Sequence, residues 1–239
     1  MKPTSKLSFC LALGLTLAAG QLATRADTIF NNSTNDQHVR FQPGTLEVGD
    51  EIILAGSARY LTNMSFEYWG TTYGTNGAAN FAGLVQADVK FYLNDGTNFN
   101  GYPTPGTRFF DSGWFDGLVP TSRSTVDFVS GLDFASSGLF IPATSNLTWT
   151  VQFRGMGAGD ALGVDVYSPP VVGGDYADYW ECDPASWQLR TNSITANMDF
   201  ATVWQASQQP VPEPAAGALL LMGCGLVGAT AGWVKRKQK

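Results

Sequence analysis

The sequence predicts an all-β fold, a jelly-roll-like antiparallel β-sandwich lying between two targeting segments. Three observations lead there. Apolar and polar residues alternate with period two over long stretches. Clusters of turn residues separate those stretches, among them Asn94-Asp95-Gly96, Pro105-Gly106, Ser136-Ser137-Gly138 and Gly173-Gly174-Asp175. No window carries a 3.6-period stripe long enough to build a helical layer. About ten strands, each with one wet face, favour two sheets packed face to face over a closed barrel.

At the front of the chain, Lys2 and Lys6 give a positive start, and Leu7 to Ala19 is a short apolar run. Thr24-Arg25-Ala26 offers a small-x-small cleavage site, so residues 1–26 read as a signal peptide cut after Ala26. Cys10 lies inside the apolar run and is not read as a lipoprotein cysteine.

The exported part then carries 7 Lys or Arg against 19 Asp or Glu over residues 27–210, a net charge near −12. The whole-chain value of −6 conceals this, because half of the basic residues sit in the targeting segments. An acidic exterior disfavours nucleic acid and anionic surfaces. Cys182 is the only cysteine of this part, so its core alone must hold it together.

The strands follow in order over residues 27–205. Phe30 to Gln37 is polar and reads as a loosely attached stretch, and Glu51 to Leu54 as a short strand. Tyr60, Met64, Phe66 and Tyr68 make a stripe, and so do Val85, Ala87, Val89, Phe91 and Leu93. Arg108 to Phe110, Thr125 to Val129 and Leu139 to Ile141 are shorter candidates. Leu147, Trp149, Val151 and Phe153 oppose Asn146, Thr148, Thr150 and Gln152; Leu162, Val164 and Val166 form a further stripe. Asp178 to Arg190 reads as a hairpin turning at Asp183-Pro184-Ala185-Ser186, and Met198, Phe200 and Trp204 as the last stripe. Val89 to Leu93 followed by Pro105-Gly106-Thr107 resembles, loosely, sandwich domains of secreted bacterial proteins, a resemblance that bears on fold alone.

Chemistry is sparse. His38 is the only histidine and reads as solvated; it excludes a histidine cage, would be the only base for any Ser-His triad, and no Gly-x-Ser-x-Gly elbow accompanies it. Cys182 reads as a partly buried strand residue. Glu47, Asp50 and Glu51, like Asp175, Asp178, Glu181 and Asp183, read as solvated turn acids rather than the converging pair a glycosidase needs. Asn94 to Gly101 holds a single acid, Asp95, and lacks the acidic set and closing glutamate of an EF-hand calcium loop. No cofactor is therefore expected, although the acidic, oxygen-rich composition leaves room for a structural calcium ion. Trp69, Tyr73, Tyr102, Trp114, Tyr167, Tyr176, Tyr179, Trp180 and Trp187 supply either sandwich core or a sugar-stacking surface, with core the stronger expectation.

Residues 206–214 form a linker and a box, Val211-Pro212-Glu213-Pro214. The two prolines hold the strip extended. Ala215 to Val234 follows with twenty uncharged residues, which as a helix span about 30 Å, a bilayer's hydrocarbon core. Lys235, Arg236, Lys237 and Lys239 in residues 235–239 would stop transfer and stay cytoplasmic. Box, span and basic end together resemble the PEP-CTERM sorting signal. That resemblance implies a Gram-negative source and an exosortase-like membrane protease as partner. It implies an inner-membrane precursor with its C-terminus in the cytoplasm, and final delivery to the outer surface or extracellular matrix.

The expected function is that of a non-enzymatic surface protein, associated with extracellular polysaccharide. A secreted carbohydrate-active enzyme on the same fold and a self-assembling structural surface protein are the alternatives.

Overall fold

The computed structural model describes residues 25–211 apart from 76, 144, 184–185 and 192–196. The strands in chain order are β1 (Asp27–Asn31), β2 (Asp36–Phe41), β3 (Glu47–Ile53), β4 (Tyr60–Thr72), β5 (Gln86–Tyr92), β6 (Asn98–Phe99), β7 (Tyr102–Pro103) and β8 (Arg108–Asp111). They continue as β9 (Thr121–Val129), β10 (Leu139–Phe140), β11 (Asn146–Arg154), β12 (Asp160–Tyr167), β13 (Gly174–Asp175), β14 (Asp178–Asp183), β15 (Ser186–Thr191) and β16 (Thr202–Ser207). There is no helix among the described residues.

All pairings between these strands are antiparallel, and they build two seven-stranded sheets and one small hairpin, β6–β7. The first sheet runs β1-β16-β4-β12-β2. Its organiser is β4, 13 residues long. Along one edge β4 pairs with β16 and then with β12; along the other it pairs with β9 and β10. The second sheet runs β15-β14-β3-β11-β5-β8, with β13 beside β14 on the free edge of β3.

The two sheets meet through aromatic rings. Phe91 of β5 lies 4.5 Å from Trp204 of β16, and Phe66 of β4 lies 5.8 Å from Trp149 of β11, centroid to centroid. Each such fully buried ring contributes about 2–3 kcal/mol, enough in sum to hold a domain without a disulfide. The Trp204 Nε1–H donates to Thr202 Oγ1 at 3.0 Å, so this buried indole is not left wanting an acceptor.

Alternation predicts β4, β5, β11 and β12 well, because each has one face against this core. Four expectations need correction. Phe30 to Gln37 is not loose: Phe30 and Asn32 are buried and β1 pairs with β16. Glu47, Asp50 and Glu51 are not turn acids; all three lie in β3, with Asp50 fully buried. Asp175, Asp178 and Glu181 lie in β13 and β14, partly buried; Asp183, closing β14, stays exposed. Met198 and Phe200 are buried as expected, but the last strand begins only at Thr202.

Both ends of the domain sit on one edge, since Asp27 is opposite Ala206. Beyond β16 the Val211 N–H donates to Ser137 O at 3.0 Å, so the chain stays docked up to the first residue of the box.

Candidate functional site

Period-two alternation gives β3, β5 and β11 a polar outer face. Thr150 stands between Lys90 and Gly49, and Thr148 between Tyr92 and Glu51. Lys90 Nζ lies 3.0 Å from Glu47 Oε2 and 3.1 Å from Asp88 Oδ2. Burial pulls the Lys90 pKa down, but the two carboxylates outweigh it and raise it. The Tyr92 hydroxyl and the Thr150 hydroxyl both donate to Glu47 Oε1, at 3.0 and 2.7 Å. Thr148 Oγ1 donates to Asn94 Oδ1 at 2.7 Å, and Asn146 Nδ2 donates to Glu51 Oε1.

This face is buried more than one wet sheet face should be. The β14–β15 hairpin extends it and brings Trp180 and Trp187 alongside. Trp187 meets Tyr92 edge-on at 5.6 Å, and Phe99 of β6 meets Trp180 at 6.4 Å. Gly49 makes room here, because a Cβ would come within 2.5 Å of Thr150 Cγ2 and 2.6 Å of Trp149 O. The result is a walled trough. At its end opens a cavity of about 370 Å³, lined by Glu51, Asn94, Asp95, Pro103 and Asn146 among others. Burial raises the Glu51 pKa, against the hydrogen bond from Asn146.

The first sheet carries its own charged outer face. Arg123 grips Glu67 through Nε at 2.7 Å and Nη2 at 3.3 Å. Arg40 Nε stands 2.8 Å from Asp165 Oδ1, but its other nitrogens are taken by Asp36 at 3.3 and 3.4 Å. Neither Asp165 oxygen receives an aligned hydrogen bond. Burial therefore wins over Arg40 and pushes Asp165 up to about 7, with Glu67 adding to the rise.

A third group points inward. Asp50 shares its phase with Val48 and Ile52, so β3 aims it between the sheets. Its Oδ2 accepts the Phe200 N–H at 2.9 Å, and its Oδ1 has no hydrogen-bond partner. Asp175 and Asp199 face each other at close range beside it. Asp199 is fully buried and meets Ser168, Asn197 and Asp175 without a well-aligned hydrogen bond to either oxygen, and Oδ2 of the partly buried Asp175 receives none either. Burial and then the neighbouring Asp199 push Asp175 up to about 8. Burial raises Asp199 to about 6 against contacts with Ser168, Asp175 and Asn197. Asp50 is raised by the same burial and by both neighbours. Among the described residues, no lysine, arginine or histidine pairs with any of the three.

Of the residues singled out in the sequence, His38 is solvated, with its side chain 87% exposed. Cys182 is half-buried, and burial raises its thiol. The aromatics divide: Tyr167 and Trp180 are buried, whereas Tyr73, Tyr102 and Tyr176 are exposed. Trp114 lies under the Arg154 guanidinium at 4.0 Å. Ala26 is exposed just ahead of β1, and Val211 is half-buried. Pro212, Glu213, Pro214, the Ala215 to Val234 span, Lys235, Arg236, Lys237 and Lys239 lie outside the described residues, as do residues 1–24. No helix among the described residues is long and apolar enough to cross a membrane.

No match to the chain was found among curated proteins or among solved structures. A family match covers the tail, beginning at Pro210, one residue before the docked Val211. PEP-CTERM motifs are recognised by exosortase, a membrane protease, and residues 210–237 of this chain match the PEP-CTERM protein-sorting motif.

Proposed function

We propose that the chain is an exported, non-enzymatic surface protein whose second sheet contacts extracellular polysaccharide after its tail has been processed. The sorting-motif match over residues 210–237 is the observation that carries this reading. On it, residues 1–26 are the signal peptide. Residues 215–234 hold a single-pass inner-membrane precursor with residues 235–239 in the cytoplasm, and exosortase acts at the box. The jelly-roll-like sandwich is then released to the surface or the matrix.

The trough supports the polysaccharide contact. The cavity at its end offers the amides of Asn94 and Asn146 and the carboxylates of Glu51 and Asp95 as mixed donors and acceptors for sugar hydroxyls, and Tyr92 and Trp187 add ring surface on the same face. The net charge near −12 favours neutral or basic glycans over acidic ones.

Two experiments test the proposal. Replacing Pro212, Glu213 and Pro214 with alanines in the native host should leave export intact and block removal of the tail, read from the mass of the C-terminal peptide. A C-terminus ending at Lys239 in equal abundance with and without the substitutions would reduce the segment to a plain anchor. The full-length chain in non-ionic detergent, applied to a glycan array and a hydrolysis screen, should bind without turnover. Turnover abolished by one Asp or Glu substitution would make it an enzyme.

A further inference from the structure

We propose that, with residues 215–234 read as the membrane span, the end of the sandwich that carries Leu132 and Phe140 lies in the lipid headgroup layer for as long as the tail is uncut. The path of the chain sets the place. β16 ends at Ser207, opposite Tyr60 at the start of β4. β10 pairs with the same end of β4 along its other edge. Val211 docks on Ser137 O, just before β10. Residues 208–210 therefore cross the end of β4 from one edge to the other, and the tail leaves the domain at Ser137. Leu132 and Phe140 flank that exit, no more than about 18 and 11 Å from it by chain length.

The tether is short. Pro212 to Pro214 separate Val211 from Ala215, a reach of at most about 14 Å. Headgroups occupy about 5–7 Å of that on each side of the hydrocarbon. What this end presents to them is apolar. Leu132 is 85% exposed and Phe140 55%. The turn that displays Leu132 is closed on both sides, because the Leu132 and Asp133 N–H groups donate to Val129 O and Asp133 Oδ2 accepts the Val129 N–H. Leu132 is thus held outward. The Phe140 ring meets that of Tyr60 at 5.3 Å, and tyrosine suits the boundary between lipid and water.

Charge chooses the lipid. Asp27 and Asp133 are exposed at this end of a domain whose net charge is near −12, so a zwitterionic surface fits and an anionic one repels. A single myristoyl chain binds a membrane only marginally, and two side chains bury less than that. The contact therefore lasts only while the tail tethers the domain. It fixes the tilt of the sandwich and so aims the box at a membrane protease; cutting the tail lets the domain go.

The test uses the full-length chain reconstituted into phosphatidylcholine vesicles. Cys10→Ser, Cys182→Ser and Cys224→Ser clear the background, and an environment-sensitive fluorophore is attached through Leu132→Cys, Phe140→Cys or Leu84→Cys. Leu84 is 89% exposed at the opposite end, next to Gly83, whose N–H donates to Asp160 across from Thr72. The 13 residues of β4 put about 40 Å between the two ends. The chain should float with the vesicles. Probes at Leu132 and Phe140 should shift to the blue and lose emission to lipid carrying a nitroxide at its headgroup, and the probe at Leu84 should do neither. Flotation with the Leu132 or Phe140 probe behaving like the Leu84 probe overturns the proposal and leaves the span standing. Failure to float overturns both.

Discussion

Glu67 and Asp165 on one side of the sandwich, and Asp50, Asp199 and the partly buried Asp175 between its sheets, are acids in opposite circumstances. The first pair faces outward. Arg123 and Arg40 reach it from neighbouring strands while their own side chains stay 47% and 31% exposed. A long cationic side chain can lie along an outer face and keep one side in water. The inward group has no such neighbour, because a lysine or arginine aimed there would have to bury its whole length among Phe41, Trp149 and Phe200. Strand phase thus decides whether a cationic side chain can reach a buried acid at all.

The largest expected effect comes from removing a matched cation. Lys90→Met strands Glu47 and Asp88 on the trough face and should cost about 3–5 kcal/mol in urea unfolding. A loss below 1 kcal/mol would mean that the matched acids do not need their partner.

Next is a pH dependence. The folded Asp165 holds its proton up to about 7, whereas the unfolded side chain releases it near 3.8. Between those values the folded state binds more protons, so this residue's contribution to stability falls as pH rises through the window and is flat outside it. Comparing wild type with Asp165→Asn across that window in EDTA should isolate a slope of at most about 1.4 kcal/mol per pH unit. Parallel curves would show that Arg40 keeps Asp165 ionised.

Arg123→Met should cost about 2 kcal/mol, less than Lys90→Met because water reaches the half-exposed Arg123 site. The smallest effect has the opposite sign. Asp50→Asn at neutral pH should be neutral or stabilising by about 1 kcal/mol, since it removes a buried carboxyl that no cation matches and keeps an oxygen for the Phe200 N–H. A clear loss of stability there would erase the contrast between the two groups.

The strands that were legible in the sequence are those with one apolar and one polar face. Leu147 to Phe153 needed only its alternation to be read. β1 and β2 escaped because Asn31 to Asp36 is polar, and β3 was cut short because Gly49-Asp50 looks like a turn. The Val48, Asp50, Ile52 phase was a visible signal that an acid points inward. Its company was not visible, since Asp175 and Asp199 arrive from stretches 125 or more residues away in the chain. The trough was hidden likewise: Thr148 and Thr150 do lie opposite the core, but the hairpins that wall them in are tertiary. The sorting box was legible in full because it is contiguous.

The position of β16 sets a timetable for export. It lies between β1 and β4, so the strand made first must wait for the strand made last. A chain crossing the membrane N-terminus first would hold β1 and the matching edge of β4 unpaired until Ser207 emerges. Such open edges invite association with other chains. Only residues 208–210 separate β16 from the box, a reach of at most about 14 Å to Val211. The domain can therefore close only as the tail arrives, and any cut at the box falls on a chain that has just finished folding.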